Sequence, residues 1–201
     1  MNSQMTPTET IIEYLEGRMP LSDFYAQVLH DEALQTFLEQ DASIPPYTNA
    51  GNLFLYIMDE DVSEPATDIS LRDALSKLLT ALGVEHQTDT SSRKTYGLAL
   101  DASPAWLSLP ESYIKTLIAG FETLGDKREK LAFAKDKIAK DFRYLNKPPR
   151  WLQSPSWPFD GEAPLVFVGQ LDASDLAHDT AQIYVFFNPR DRGVRTLMQV
   201  A

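Results

Sequence analysis

Pro164-Leu165-Val166-Phe167-Val168-Gly169-Gln170-Leu171 is a short apolar run with β-branched and aromatic residues, bounded by Pro and by polar turn residues. That composition and length spell a strand. Ile183-Tyr184-Val185-Phe186-Phe187 repeats the pattern, and Val194 to Val200 repeats it again. Between the last two lies Asn188-Pro189-Arg190-Asp191-Arg192-Gly193, a turn by its Asn, Pro, Asp and Gly. The second and third strands are therefore expected to pair as a hairpin. Upstream of Pro148-Pro149 the apolar residues recur at helical spacing instead. Helices first and strands last argue for α+β, against an alternating parallel sheet. The expectation is a mainly helical portion over residues 1–147, with about six helices. A small antiparallel sheet of about three strands then follows over 148–201, packed on it as one compact unit.

The helical portion carries explicit start and stop signals. Thr6-Pro7-Thr8-Glu9 is a capping box with Pro in the first turn, and Gly17 is the stop. Helices are expected from Ser22, with Phe24, Tyr25, Val28 and Leu29 inward, and after Asp31, with Leu34, Phe37 and Leu38 inward. Pro45 and Pro46 make residues 43–49 a loop. Leu53 to Met58 is taken as a helix capped by Asn52. Ser70 is expected to cap a helix over 71–82, whose Leu71, Leu75, Leu78, Leu79 and Leu82 share a face and which Gly83 ends. Tyr96 to Leu100 reads as a short extended piece. A helix from Pro110 runs through Phe121, and a longer one from Asp126 to Leu145 faces Leu131, Ala134, Ile138, Phe142 and Leu145 inward.

The chain has 201 residues, no Cys and a net charge of −11. Without Cys there are no disulfides, thiolate nucleophiles or Cys-type zinc sites. The N-terminus shows no basic segment followed by an apolar run, and no apolar stretch is long enough to span a membrane. A cytoplasmic protein is expected, with neither membrane nor nucleic acid as partner, because an acidic surface repels phosphates and anionic lipid and attracts cations. The charge is uneven. Residues 1–125 carry 19 acidic and 6 basic side chains, whereas residues 126–150 carry 4 and 9.

Motifs for chemistry are missing where they would be sought. His30, His86 and His178 stand in separate segments without metal-ligand spacing. Asp59-Glu60-Asp61, with Glu64 and Asp68 behind, lacks the glycine of a calcium loop. There is no GxSxG elbow and no phosphate-cradling glycine loop, so no cofactor is implied. The run Asp59, Glu60, Asp61 and Glu64 instead suits docking of a basic protein partner. Trp151 and Trp157, in a Pro-rich aromatic stretch, are either packed plugs or anchors for that partner. Lys137, Lys140, Phe133 and Tyr144 share a face of the basic helix.

Pro149-Arg150-Trp151-Leu152-Gln153, Trp157-Pro158, Gly161 to Gln170 and Gln182 to Phe187 together resemble the YwqG-like family of uncharacterised bacterial proteins. Related modules occur among immunity proteins of bacterial toxin systems. The resemblance covers the C-terminal quarter, and the helical portion is larger than that module implies. What it implies is an immunity-type protein; with the acidic balance, small size and missing catalytic motifs, the expectation is a non-catalytic protein that neutralises a cationic toxin. The alternative is a small enzyme or ligand-binding protein, with a pocket formed near the strands by Tyr184, His178, Asp179 and Gln170.

Overall fold

Local chemistry sets the helix starts, and the computed structural model describes them across residues 5–41, 44–46 and 48–201. Thr6 accepts from the Glu9 backbone N–H while the Glu9 carboxylate accepts from the Thr6 N–H, the reciprocal capping box, and α1 spans Pro7–Leu15. Asp31 accepts from the N–H groups of Ala33 and Leu34 and starts α3, Glu32–Glu39. Asn52 caps α4, Leu53–Asp59, through the Leu55 N–H. The loop expected over 43–49 is described only in part, since Ser43 and Tyr47 lie outside the described residues.

The fold is α+β, with nine helices among the described residues where about six were expected, and two small antiparallel sheets. The chain divides into two compact units, residues 1–96 and 97–201. The change from helix to strand after residue 147 therefore falls inside the second unit.

The first unit holds α1, α2 (Leu21–His30), α3, α4 and α5 (Pro65–Ala81) around Ile11, Leu15, Phe24, Leu34, Leu53 and Leu75, all fully buried. The α2–α3 corner is tied by Gln35, whose amide donates to the carbonyls of Val28 and Leu29 that α2 leaves free at its end. Leu29, expected inward, points outward there and is exposed. α5 begins at Pro65, not after Ser70, because proline supplies the first-turn geometry and needs no N–H partner. Leu71, Leu75, Leu78 and Leu79 are buried as expected, and Leu82 lies beyond the helix and is exposed.

One cation lies inside this unit. The Arg72 guanidinium donates to the carbonyls of Tyr14 (2.5 Å) and Leu15 (2.9 Å), pairs with Asp68 (2.9 Å) and stands 4.4 Å over the Tyr14 ring. Tyr14 in turn donates its hydroxyl to Asp68 at 2.7 Å and stacks on Phe24. The C-terminal end of α1 is thereby bound to α5 through its last carbonyls. Gly17 turns the chain away at φ 78°, and a Cβ there would stand 3.1 Å from the Asp89 carboxylate.

α6, Ser91–Asp101, includes Tyr96 to Leu100, which is helical where an extended piece was expected. Thr95, Leu98, Ala99 and Ala102 recur at three- and four-residue spacing, and that period outweighs Gly97 in the middle. α7 (Glu111–Phe121) and α8 (Lys127–Asp141) follow, with Asp126 capping α8 as expected. α8 stops at Asp141, four residues short of Leu145. The backbone of 143–145 is recruited by a strand instead: the Leu145 N–H donates to the Phe167 carbonyl, and the Phe167 N–H to the Arg143 carbonyl. Phe142 stays buried and Leu145 is exposed.

The strands are β1 (Phe159–Asp160) with β2 (Ala163–Pro164), then β3 (Val166–Asp172), β4 (Ala181–Phe187) and β5 (Val194–Val200). β4 is central, antiparallel to both neighbours, and β4–β5 is the expected hairpin, with Tyr184 opposite Leu197 and Phe187 opposite Val194. A bulge at Val168 shifts the β3 register. The short α9, Ser174–Ala177, lies between β3 and β4.

Two glycines probe the packing of the second unit. Gly97 is inside α6, and a Cβ added there would meet nothing within 4 Å, so Gly97→Ala should stabilise by about 0.5–1 kcal/mol. Gly120 faces the Phe133 ring, where a Cβ would stand 2.5 Å away, so Gly120→Ala should destabilise by about 1 kcal/mol despite the better helix propensity. Urea unfolding followed by tryptophan emission suits both, because Trp106, Trp151 and Trp157 all belong to this unit. The same sign for both substitutions would contradict this packing.

Candidate protein-docking surface

The acidic run lies at the corner between α4 and α5, in the first unit. Asp61 makes the turn: its carboxylate accepts from the Ser63 N–H, and its carbonyl accepts from the Glu64 N–H and the Thr67 hydroxyl. The Thr67 hydroxyl also reaches Glu60 at 3.3 Å. Glu64 occupies the N-cap position of α5 without a side-chain cap bond, and its carboxylate stands near the positive end of the helix dipole. Asp59 and Asp61 are exposed, and Glu60 and Glu64 half-buried. The fold thus brings these four carboxylates to one corner.

Beside that corner runs a groove of about 710 Å³ lined by Thr48, Asn49, Ala50, Leu55, Met58, Asp59 and Glu60. Leu55 is 48% exposed. The groove thus sets an exposed apolar side chain beside an anionic rim.

The charge of the chain belongs to this unit. Residues 1–96 carry 16 acidic and 5 basic side chains, whereas residues 97–201 carry 13 of each. Residues 19–71 contain ten Asp and Glu and neither Lys nor Arg. Arg72, which follows that stretch, is buried and paired with Asp68.

Trp151 and Trp157 take the packed role. Trp157 is buried, donates its indole N–H to the Leu165 carbonyl and contacts Phe142, Phe167 and Phe186. It is 6% exposed, so nearly all of its contact area is spent inside the second unit. Trp151 is half-buried, lies against Tyr184 at 4.6 Å and donates to the Trp106 carbonyl. Trp106, which no sequence signal marked, sits 5.6 Å from Trp157 and 5.8 Å from Tyr144.

The residues of the ligand-pocket alternative are engaged elsewhere. The buried Tyr184 hydroxyl donates to the Arg150 carbonyl and accepts from the Leu152 N–H, and Gln170 holds both backbone groups of Arg150. These side chains staple the 150–153 segment to the sheet. His178 takes a left-handed turn conformation at φ 57°, and Asp179 accepts from the Thr180 N–H.

The lysine face of α8 splits. Lys137 pairs with Asp141 and Lys140 with Asp136 along the helix, while Phe133 packs edge-on against Phe121. A second groove, about 780 Å³, runs past Trp106, Lys135, Arg143 and Tyr144. In the first unit, Ser76 and His86 Nε2 stand 2.8 Å apart, with His86 Nδ1 3.0 Å from the Val84 carbonyl. Ser76 sits inside α5, where its backbone N–H belongs to the helix, so the contact returns the chain after Gly83 to α5. Among the described residues no three His, Asp or Glu side chains gather as a metal site, and no helix is long and apolar enough to cross a membrane. Compared with family models, curated proteins and solved structures, the chain matches none.

Two phenols record how closed the interiors are. Burial first, and then the negative charge of Asp68, hold the Tyr14 phenol protonated far above the ordinary tyrosine range. Burial and the hydrogen bond to Asp141 do the same for Tyr113. Unfolded tyrosine ionises at about pH 10, so this contribution to stability is complete below that pH and is lost as pH rises above it. Alkaline titration of phenolate absorbance should show two phenols ionising together with the loss of far-ultraviolet circular dichroism, a step missing from the Tyr14→Phe, Tyr113→Phe double variant. Ionisation of both before unfolding would contradict the burial.

Proposed function

We propose that this protein binds a cationic protein partner through the anionic face of its first unit, and that its role is that of an immunity protein neutralising a bacterial toxin. The observation that carries the reading is the separation of charge: the entire net charge of −11 resides in residues 1–96, beside a groove with an exposed leucine. Such a field speeds encounter with a basic partner and fixes its orientation, while the apolar groove supplies contact that outlasts salt. The C-terminal resemblance to immunity-type modules supports the biological role. A cytoplasmic setting follows from the same proposal, since an immunity protein guards the cell that makes it.

Growth of cells expressing any toxin-like domain found encoded beside this gene, with and without this chain, tests the role. Protection is expected, together with a complex whose dissociation constant rises at least about tenfold between low and high salt. Neutralising the corner with Asp59→Asn, Glu60→Gln, Asp61→Asn and Glu64→Gln should slow association by about tenfold and flatten the salt dependence. No protection, or binding indifferent to both salt and these substitutions, would overturn the proposal.

A further inference from the structure

The β3-β4-β5 sheet has one face on the aromatic core and one face on solvent. In an antiparallel sheet of that kind the solvent face is ordinarily polar. Here it is apolar. The register places Leu171, Ile183 and Met198 in one row across the three strands, and Phe187 and Val194 in another, with Val185 between, flanked by Gly169 and by Thr196, the one polar side chain of these rows. The six apolar residues alternate with the inward Phe167, Tyr184 and Phe186, so they share the outer face. Leu171 is 62% exposed, Val194 60% and Met198 49%. The run Ile183 to Phe187 is continuous in hydrophobicity, the pattern of a strand covered on both faces.

The ends of this sheet carry opposite charge. At the β3–β4 end stand Asp172, Asp175 and Asp179, all exposed, with no Lys or Arg among residues 172–180. At the β4–β5 end Arg190 and Arg192 are exposed in the turn, Arg190 donating to the Asp160 carbonyl, while Arg195, opposite the inward Phe186, is paired with Asp191, so Arg192 is the cation this end offers to the outer face. A partner of one sign would meet its own sign at one end. A surface that is apolar in the middle, acidic at one end and basic at the other is complementary to itself when turned end for end, which is what a two-fold interface requires.

We propose that the outer face of this sheet is an interface with a second copy of the chain, the two sheets stacked about a two-fold axis that lays the acidic end of each over the basic end of the other. Sheets packed this way lie about 10 Å apart. Three strands of seven residues span about 24 Å by about 14 Å, and two such faces bury about 700 Å². That is smaller than a stable specific interface, so the dimer is weak and transient, with a dissociation constant on the order of 100 µM or above.

Sedimentation velocity of the full chain from about 1 µM to about 1 mM tests this. The sedimentation coefficient should rise toward the dimer value, and Met198→Lys should abolish the rise. Two surface variants keep the test independent of folding. Arg192→Glu alone and Asp175→Arg alone should each weaken association at least about fivefold, since each places like charges together at both ends. Mixing the two variants should restore it, because every acidic end then meets a basic one. A monomer throughout, association untouched by Met198→Lys, or a mixture no stronger than its components would each overturn the proposal.

Discussion

The first unit depends on one buried guanidinium. Arg72 satisfies the last carbonyls of α1, neutralises Asp68 and covers the face of Tyr14, so helices more than fifty residues apart in sequence are held by a single side chain. A planar, permanently charged fork suits this place, because lysine has neither the geometry for two carbonyls and a carboxylate nor a flat face for the ring. Removing one member of such a set leaves the others buried and unmatched, which costs far more than the set itself contributes.

That node also explains how a unit with so large a net charge keeps a stable interior. Asp68 is drawn inside by its partner, while Asp59, at the end of α4, and Asp61, in the turn that follows, are exposed to solvent. Placed on a rigid corner, they form a fixed field, and fixed fields steer a charged partner more effectively than flexible tails of equal charge. The second unit is built on different physics. Its charges balance, and its interior is a set of edge-to-face and tilted aromatic contacts joining Phe142, Trp157, Phe167 and Phe186.

Features set by neighbouring residues were legible in the sequence. The Thr6–Glu9 box, the Asp31, Asn52 and Asp126 caps and the β4–β5 hairpin are all contacts within a few positions, and each is found where the residue types place it. Features set by distant partners were not. The end of α8 depends on β3 claiming the backbone of Arg143 and Leu145, more than twenty residues away. Gly97 and Tyr96 hid a helix whose period became visible only from Thr95 to Ala102. The acidic corner was legible as a cluster, but the destination of Trp157 was not, because composition marks an aromatic as valuable contact area without saying whether core or partner receives it. Arg72 gave one signal, an aspartate four positions earlier on the same helix, and that pairing is far commoner on exposed surfaces.

The most direct measurement is a double-mutant cycle between Arg72→Met and Asp68→Asn in the full-length chain, read by urea unfolding. If the guanidinium is the node that holds α1 to α5, each single change destabilises, and the pair recovers at least about 1.5 kcal/mol relative to their sum, because neither buried partner is then left unmatched. Additivity of the two within about 0.5 kcal/mol would contradict it, and would mean that α1 is held to α5 by apolar packing alone.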